Sequence, residues 1–338
     1  MSQARDLADL GSSAEAGTVT GDSFIINGDF AVWQRGTSFA DPADSTYLCD
    51  RFFAFNNNDG AITFSQSTDV PSGKGFKYSL KGDVTTADTT IAAGQYVSID
   101  QYIEGQNAVS LDWGSSEAKY VNISFWIKSN LTGTYCYSIR NSALDRAFIK
   151  EFTIDTADTW EHKTITIQGD TGGTWLTTNG IGQRHQISFA MGSTFQGTAD
   201  SWQTTNVVAT SNQENILSST DNEFYLTGWK VEEGTTATPF KHETYGETLA
   251  KCQRYFYKYT GQLWGMQVAR LGGTYARTHI IHPMEMRAAP TLSDVAFVNT
   301  SGAVASQFHT STGVTLTANP TLSGSGYFDA NWSASAEL

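Results

Sequence analysis

The sequence predicts an all-β protein: a two-sheet antiparallel sandwich followed by a smaller β-rich C-terminal module. Three observations carry this. About ten segments before residue 234 alternate apolar and polar residues with period two, as half-buried strands do. The stretches between them are rich in Gly, Asn, Asp and Thr and hold no helix-length apolar period, so no βαβ unit can form. The chain has 338 residues, 39% of them hydrophobic and 12% aromatic, enough for a real core and for two units.

The elements follow in order. Residues 1–22, MSQARDLADLGSSAEAGTVTGD, are small and polar and cannot make a core of their own. Leu7, Leu10 and Val19 are the groups there that could pin the peptide into a neighbour, so this segment reads as an attachment peptide. The sandwich domain spans residues 23–243. It opens with an edge strand at Phe24–Ile26 and an Asn27-Gly28 turn. Strands are then expected at YLCDRFFAF (47–55), AITFSQS (61–67), FKYSLKG (76–82), QYVSIDQYI (95–103), YVNISFWIK (120–128) and YCYSIR (135–140). EFTI (151–154), HKTITIQ (162–168), HQISFAMG (185–192) and EFYLTGWKVEE (223–233) complete the set. In VNISFWIK, Val121, Ile123, Phe125 and Ile127 fall on one face.

One good helix candidate lies in the body, Thr244–Arg254, with Thr244 able to cap and Glu247 three residues on. It joins the sandwich to a module over residues 255–338. The strands expected there are QRYFYKYT, GMQVARL, THIIHP, TLSDVAFVN, VASQFHT, VTLTAN and GYFDANWSA. A small sheet module of this kind is commonly stabilised by oligomerisation.

Composition also excludes classes. The formal net charge is −13, and no basic stripe offers a nucleic-acid surface. No apolar run reaches the length of a membrane span, and the N-terminus lacks a basic-then-apolar leader. The chain is therefore expected to be made in a cytoplasm and not to insert in a membrane. Cys49, Cys136 and Cys252 are too far apart for a zinc or redox motif. No GxSxG, HExxH or P-loop occurs, so no catalytic residue is assigned and no enzyme is predicted. A metal site is not predicted either. His279 and His282 lack a third ligand, and calcium on Asn27, Asp29, Glu232 and Glu233 has oxygen donors but no spacing signature.

Carbohydrate binding needs aromatic faces for sugar C–H patches and polar groups for hydroxyls. Trp113 (LDWGSS), Trp175 (GGTWLTT) and Trp202 (ADSWQTT) sit in loop-like settings and are the candidate glycan platforms; each can also be a partly buried loop anchor. The segment Phe195–Leu217 is long, polar and strand-poor, a normal place for recognition.

Five motifs, NGDFAVWQRGT (27–37), TADTWEHKTITIQGDTGGTW (156–175), VEEGTTATPF (231–240), LAKCQRY (249–255) and HPMEMRAAPTL (282–292), give the chain a family likeness. In order and spacing it resembles tailed-phage tail-fibre or related virion proteins with a carbohydrate-binding-like jelly roll. The likeness covers roughly residues 24–292 and supplies framework, not an active site. It implies a jelly-roll sandwich, a homotrimer on the virion surface, other virion proteins met through the N-terminal peptide, and a host-surface glycan as ligand. The chain lacks the family's longer N-terminal shaft and shows no depolymerase motif, which leaves tail fibre, tail accessory protein and capsid fibre all open. A carbohydrate-binding module with no assembly role is the other reading.

Overall fold

The structure, a computed structural model, describes residues 21–264, 266–270, 273–298, 306–318 and 327–338. Leu7, Leu10 and Val19 lie outside them. The chain divides into two compact units between Thr244 and Tyr245.

The first unit holds β1 (Ser38–Ala40), β2 (Thr46–Tyr47), β3 (Phe53–Asn57), β4 (Ala61–Ser67), β5 (Ser79–Thr86), β6 (Tyr96–Glu104) and β7 (Val121–Ser129). It continues with β8 (Gly133–Arg140), β9 (Ala147–Ile154), β10 (Glu161–Ile167), β11 (Ile181–Met191), β12 (Trp202–Gln203) and β13 (Glu223–Glu233). One sheet has the order β1-β4-β5-β13-β7-β10, and the other β12-β9-β8-β11-β6-β3-β2. The chain crosses from one sheet to the other at nearly every step from β5 onward. The inner orders β5-β13-β7-β10 and β9-β8-β11-β6 are those of a jelly roll, two Greek keys wound together.

Alternation explains the layers. Ile123, Phe125 and Ile127 of β7 meet Tyr135, Tyr137 and Ile139 of β8, Ile99 of β6 and Ile187 of β11 in one large core. Trp229 is fully buried beside Phe52 and Tyr137, with ring centroids 5.5 and 5.8 Å away. Its indole N–H donates to Tyr137 Oη at 3.3 Å. Gly228, at φ +64°, supplies the left-handed residue where the β13–β7 register slips between Thr227 and Lys230.

Several elements differ from expectation. Phe24–Ile26 is a bend, not an edge strand. Buried Asn27 gathers the chain there: its Oδ1 accepts from Ala31 N and Val32 N, and its Nδ2 donates to Val32 O and Asp50 O. The run 47–55 is broken into β2 and β3 by a turn closed by Leu48 N donating to Phe52 O. FKYSLKG starts its strand three residues late, at Ser79, and runs on to Thr86. Short β1 and β12 carry no sequence signal of their own. Arg35 lies 3.6 Å from Asp50 and ties the loop it belongs to. Cys49, Cys136 and Cys252 are buried and joined in no disulfide.

The second unit begins with α1 (Tyr245–Gln253), one residue inside the expected helix at each end. It then has β14 (Phe256–Trp264), β15 (Met266–Arg270), β16 (Gly273–Ile281), β17 (Thr291–Val298), β18 (Ser306–Thr310), β19 (Gly313–Ala318) and β20 (Tyr327–Ser335). They pair as a three-stranded sheet, β14-β20-β17, and a four-stranded sheet, β15-β16-β19-β18. Among the described residues its apolar cluster is Met286, Val314, Trp332, Ala334 and Ala336.

Candidate functional site

The three tryptophans picked from sequence come together. Trp113, Trp175 and Trp202 make a mutual edge-to-face triad with centroids 4.7, 5.4 and 5.6 Å apart. Phe148 packs on Trp202 at 5.2 Å. Every indole N–H is taken internally: Trp113 by Lys119 O, Trp202 by Gln168 O, and Trp175 by Asp170 Oδ2 and Gly172 O. Trp113 and Trp175 are only 9% and 8% exposed, and Trp202 is partly exposed. A hollow of about 210 Å³ opens beside them, bordered by Val109, Leu176 and Gln183.

A second arrangement lies on the outer face of the seven-stranded sheet. The pleat that turns Ile99, Ile187 and Tyr137 inward turns the alternate residues out. Strand register sets these outward residues in rows. Tyr102 of β6, Arg184 of β11 and Arg140 of β8 form one row; Phe53, Asp100, Gln186 and Ser138 form the next; Phe55, Ser98, Ser188 and Cys136 form the third. At the β8–β9 end this face is covered by the chain after β11, where Val207, Val208 and Ala209 pack on Cys136, Ala147 and Ile149. That covering is part of the long polar segment noted in the sequence. It serves as a wall, and a cleft of about 210 Å³ remains beside it.

The cleft has an aromatic side and a polar side. Tyr47, Phe53, Phe55, Tyr96 and Phe195 form a continuous aromatic run, with successive centroids 5.1, 5.2, 5.8 and 5.2 Å apart. Arg140, Arg184, Gln186 and Asn206 line the other side. Arg140 Nη1 donates to Asn206 Oδ1 at 2.8 Å and Nη2 to Gln186 Oε1 at 2.5 Å. Arg184 rests its guanidinium 4.4 Å from the centroid of Tyr102.

Behind them, fully buried Asp100 sits 3.6 Å from Arg140 Nη2 and accepts from Ser98 Oγ at 2.6 Å. Burial pushes its carboxyl up to about 7 against the pull of Arg140, Ser98 and Arg184. Burial, and then Asp100, push the Tyr102 hydroxyl up to about 12. On the core side, His185 is held near 3 by burial. This neutral ring fits its partners, Tyr137 Oη at 2.7 Å and Gln183 Oε1 at 2.9 Å.

The sequence reading missed this face because aromatics in strands read as core. The available signal was the pair of charges and amides at alternate positions in SIDQY and RHQIS.

Three of the four suggested calcium ligands have protein partners. Glu232 pairs with Lys230 and accepts from Thr238, Glu233 pairs with Lys119, and Asn27 is the loop hub. Among the described residues no group of three His, Cys, Asp or Glu is placed to hold a metal. Among them, too, no helix is long and apolar enough to cross a membrane.

No family model matches the chain, and no curated protein does. Solved structures with some similarity include the bacteriophage CBA120 tailspike protein 4 enzymatically active domain, at 13% identity and TM-score 0.33. That match covers 63% of this chain and 21% of the tailspike chain. A CBM4 structure matches at 16% identity and TM-score 0.30, over 62% of this chain and 98% of the other. A family 11 carbohydrate-binding module from Clostridium thermocellum matches at 11% and 0.29, over 60% and 98%. These scores are too low to argue from, and the jelly-roll assignment stands on the strand order itself.

Proposed function

We propose that the jelly roll is a non-catalytic carbohydrate-recognition domain that binds glycan on the outer face of its seven-stranded sheet. The carrying observation is the cleft itself. A run of aromatic rings borders one side, and fixed arginine and amide groups line the other, on a rigid sheet. Sugars ask for this pairing: rings cover C–H patches, while amides and guanidinium groups take hydroxyl oxygens. The test is a glycan array on the full chain, repeated with Tyr96→Ala and with Leu176→Ala beside the tryptophan triad. Loss of binding with the first variant alone supports the outer face. Loss with the second alone would move the site to the hollow at Trp113 and Trp175.

The setting we propose is a homotrimeric appendage on a virion surface, assembled in the host cytoplasm and attached through residues 1–22. The motif set from Asn27 to Leu292 favours this reading. Support for self-association comes from the second unit, where Ile281 and Phe308 are 74% and 65% exposed. Deleting residues 2–20 is expected to leave folding and oligomeric state intact and to abolish incorporation into particles, as read by immunoblot of purified virions. Normal incorporation of the deletion would remove the attachment role from this segment.

A further inference from the structure

Arg184 and Arg140 stand directly opposite each other in the β11–β8 register, on the same face and at the same cleft. Burial disfavours the charged form of Arg140 most, Asp100 and Tyr102 oppose this, and the neighbouring Arg184 charge adds a smaller repulsion. The chain has 21 Lys and Arg against 34 Asp and Glu, so a cationic pair is against the grain of its composition. Among the described residues, the carboxylate within ion-pair distance of this pair is Asp100, which lies behind Arg140 and makes no hydrogen bond through Oδ2.

The donors are also unfinished. Arg140 is 6% exposed, and its Nε is buried without a hydrogen-bond partner. The Nε of Arg184 is buried and unpartnered as well, and its Nη2 makes a long bond of 3.4 Å to Ser142 O. Buried charged donors left unpaired are costly unless something completes them. Asn206, Gln186 and the Tyr102 ring meanwhile hold both groups in place, so the site is built in advance of its ligand.

We infer that the cleft is an acidic-sugar subsite, in which Arg184 and Arg140 receive the carboxylate of a uronic-acid residue while Tyr96, Phe55 and Phe195 cover the ring. The inference rests on the reading of this face as the glycan site and adds the class of sugar. The size agrees: about 210 Å³ is below the roughly 300–1,000 Å³ of sites for drug-sized ligands, and suits one sugar ring. Charge-assisted bonds from arginine to a carboxylate are short and directional, which distinguishes an acid from its neutral counterpart.

The experiment titrates the full chain calorimetrically with an oligogalacturonate and with the same oligosaccharide after carboxyl reduction. The expected result is a preference for the acid of at least about tenfold, the smallest effect of a charge-assisted hydrogen bond. Arg184→Gln is expected to abolish that preference, and Arg184→Lys to restore part of it. The Arg184 site is chosen because it is only half-buried, and an unchanged thermal midpoint shows that each variant is folded. Equal binding of both sugars, unaffected by Arg184→Gln, overturns the acidic-sugar inference and leaves the glycan face standing. Binding of neither sugar, with none found on the array, overturns both.

Discussion

Asn27 shows how much one side chain can organise. It sits at φ 62°, a left-handed conformation that Asn tolerates and most residues do not. Its amide closes four hydrogen bonds inside a loop with no sheet ladder to hold it. The next residue must be glycine for another reason: a Cβ on Gly28 would lie 2.0 Å from Trp229 O. Asn27→Ala is expected to destabilise the first unit by about 3 kcal/mol, since each net hydrogen bond contributes about 0.5–1.5 kcal/mol. Urea unfolding checks this, and a loss below about 1 kcal/mol would mean that water replaces the amide. The Asn-Gly pair was readable as a turn, but its role as a hub was not. Ala31 and Val32 lie within five residues, but Asp50, 23 residues on, is brought near only by the fold.

At the scale of elements, adjacent strands carry two buried titratable groups of opposite effect. Asp100 of β6 rises from 3.8 to about 7 in the fold. The native state therefore holds the extra proton between those values, and Asp100's contribution is full below 3.8 and lost as pH rises through about 7. His185 of β11 falls from 6.5 to about 3. Here the unfolded state holds the extra proton, so its contribution is full above 6.5 and lost as pH falls toward 3. In the acid range the two slopes offset. Asp100→Asn removes the first and leaves the second, so its thermal midpoint is expected to drop more steeply than the parent's between about pH 6.5 and 4. Parallel midpoint curves for the two proteins would contradict the assignment. The strands themselves were largely legible: AITFSQS and EFYLTGWKVEE match β4 and β13 residue for residue, because one face of each is apolar. The cleft was not. Its aromatics follow the same period-two pattern as the core, and only the pairing of β3, β6, β11 and β8 shows that Phe55, Asp100 and Arg184 point away from it.

At the scale of the whole molecule the second unit bears on assembly. The first buries a continuous core that spans both sheets; in the second, among the described residues, Met286, Val314, Trp332, Ala334 and Ala336 cluster with Tyr257, Tyr259, Ile280 and Leu292 packed against them. Trp332 Nε1 is buried there without a hydrogen-bond partner, which costs some stability. Ordering a unit of this length opposes folding by on the order of 100 kcal/mol of chain entropy, so any apolar surface buried between copies would help to offset it. Meanwhile the four-stranded sheet presents apolar side chains to solvent. Register places His279, Thr315 and Phe308 in one row, with Ile281 two residues along the same face of β16. Copies of the chain packing on this face would bury those side chains and offset the ordering cost, the association proposed above as a trimer. Sedimentation of the full chain at micromolar concentration is expected to give three times the mass of one chain. The double substitution of Ile281→Asp and Phe308→Asp puts like charges on that face and is expected to yield a monomer whose first unit still unfolds cooperatively. A parent that sediments as a monomer, or a double variant that keeps the parent's mass, would show that this face is not where copies meet.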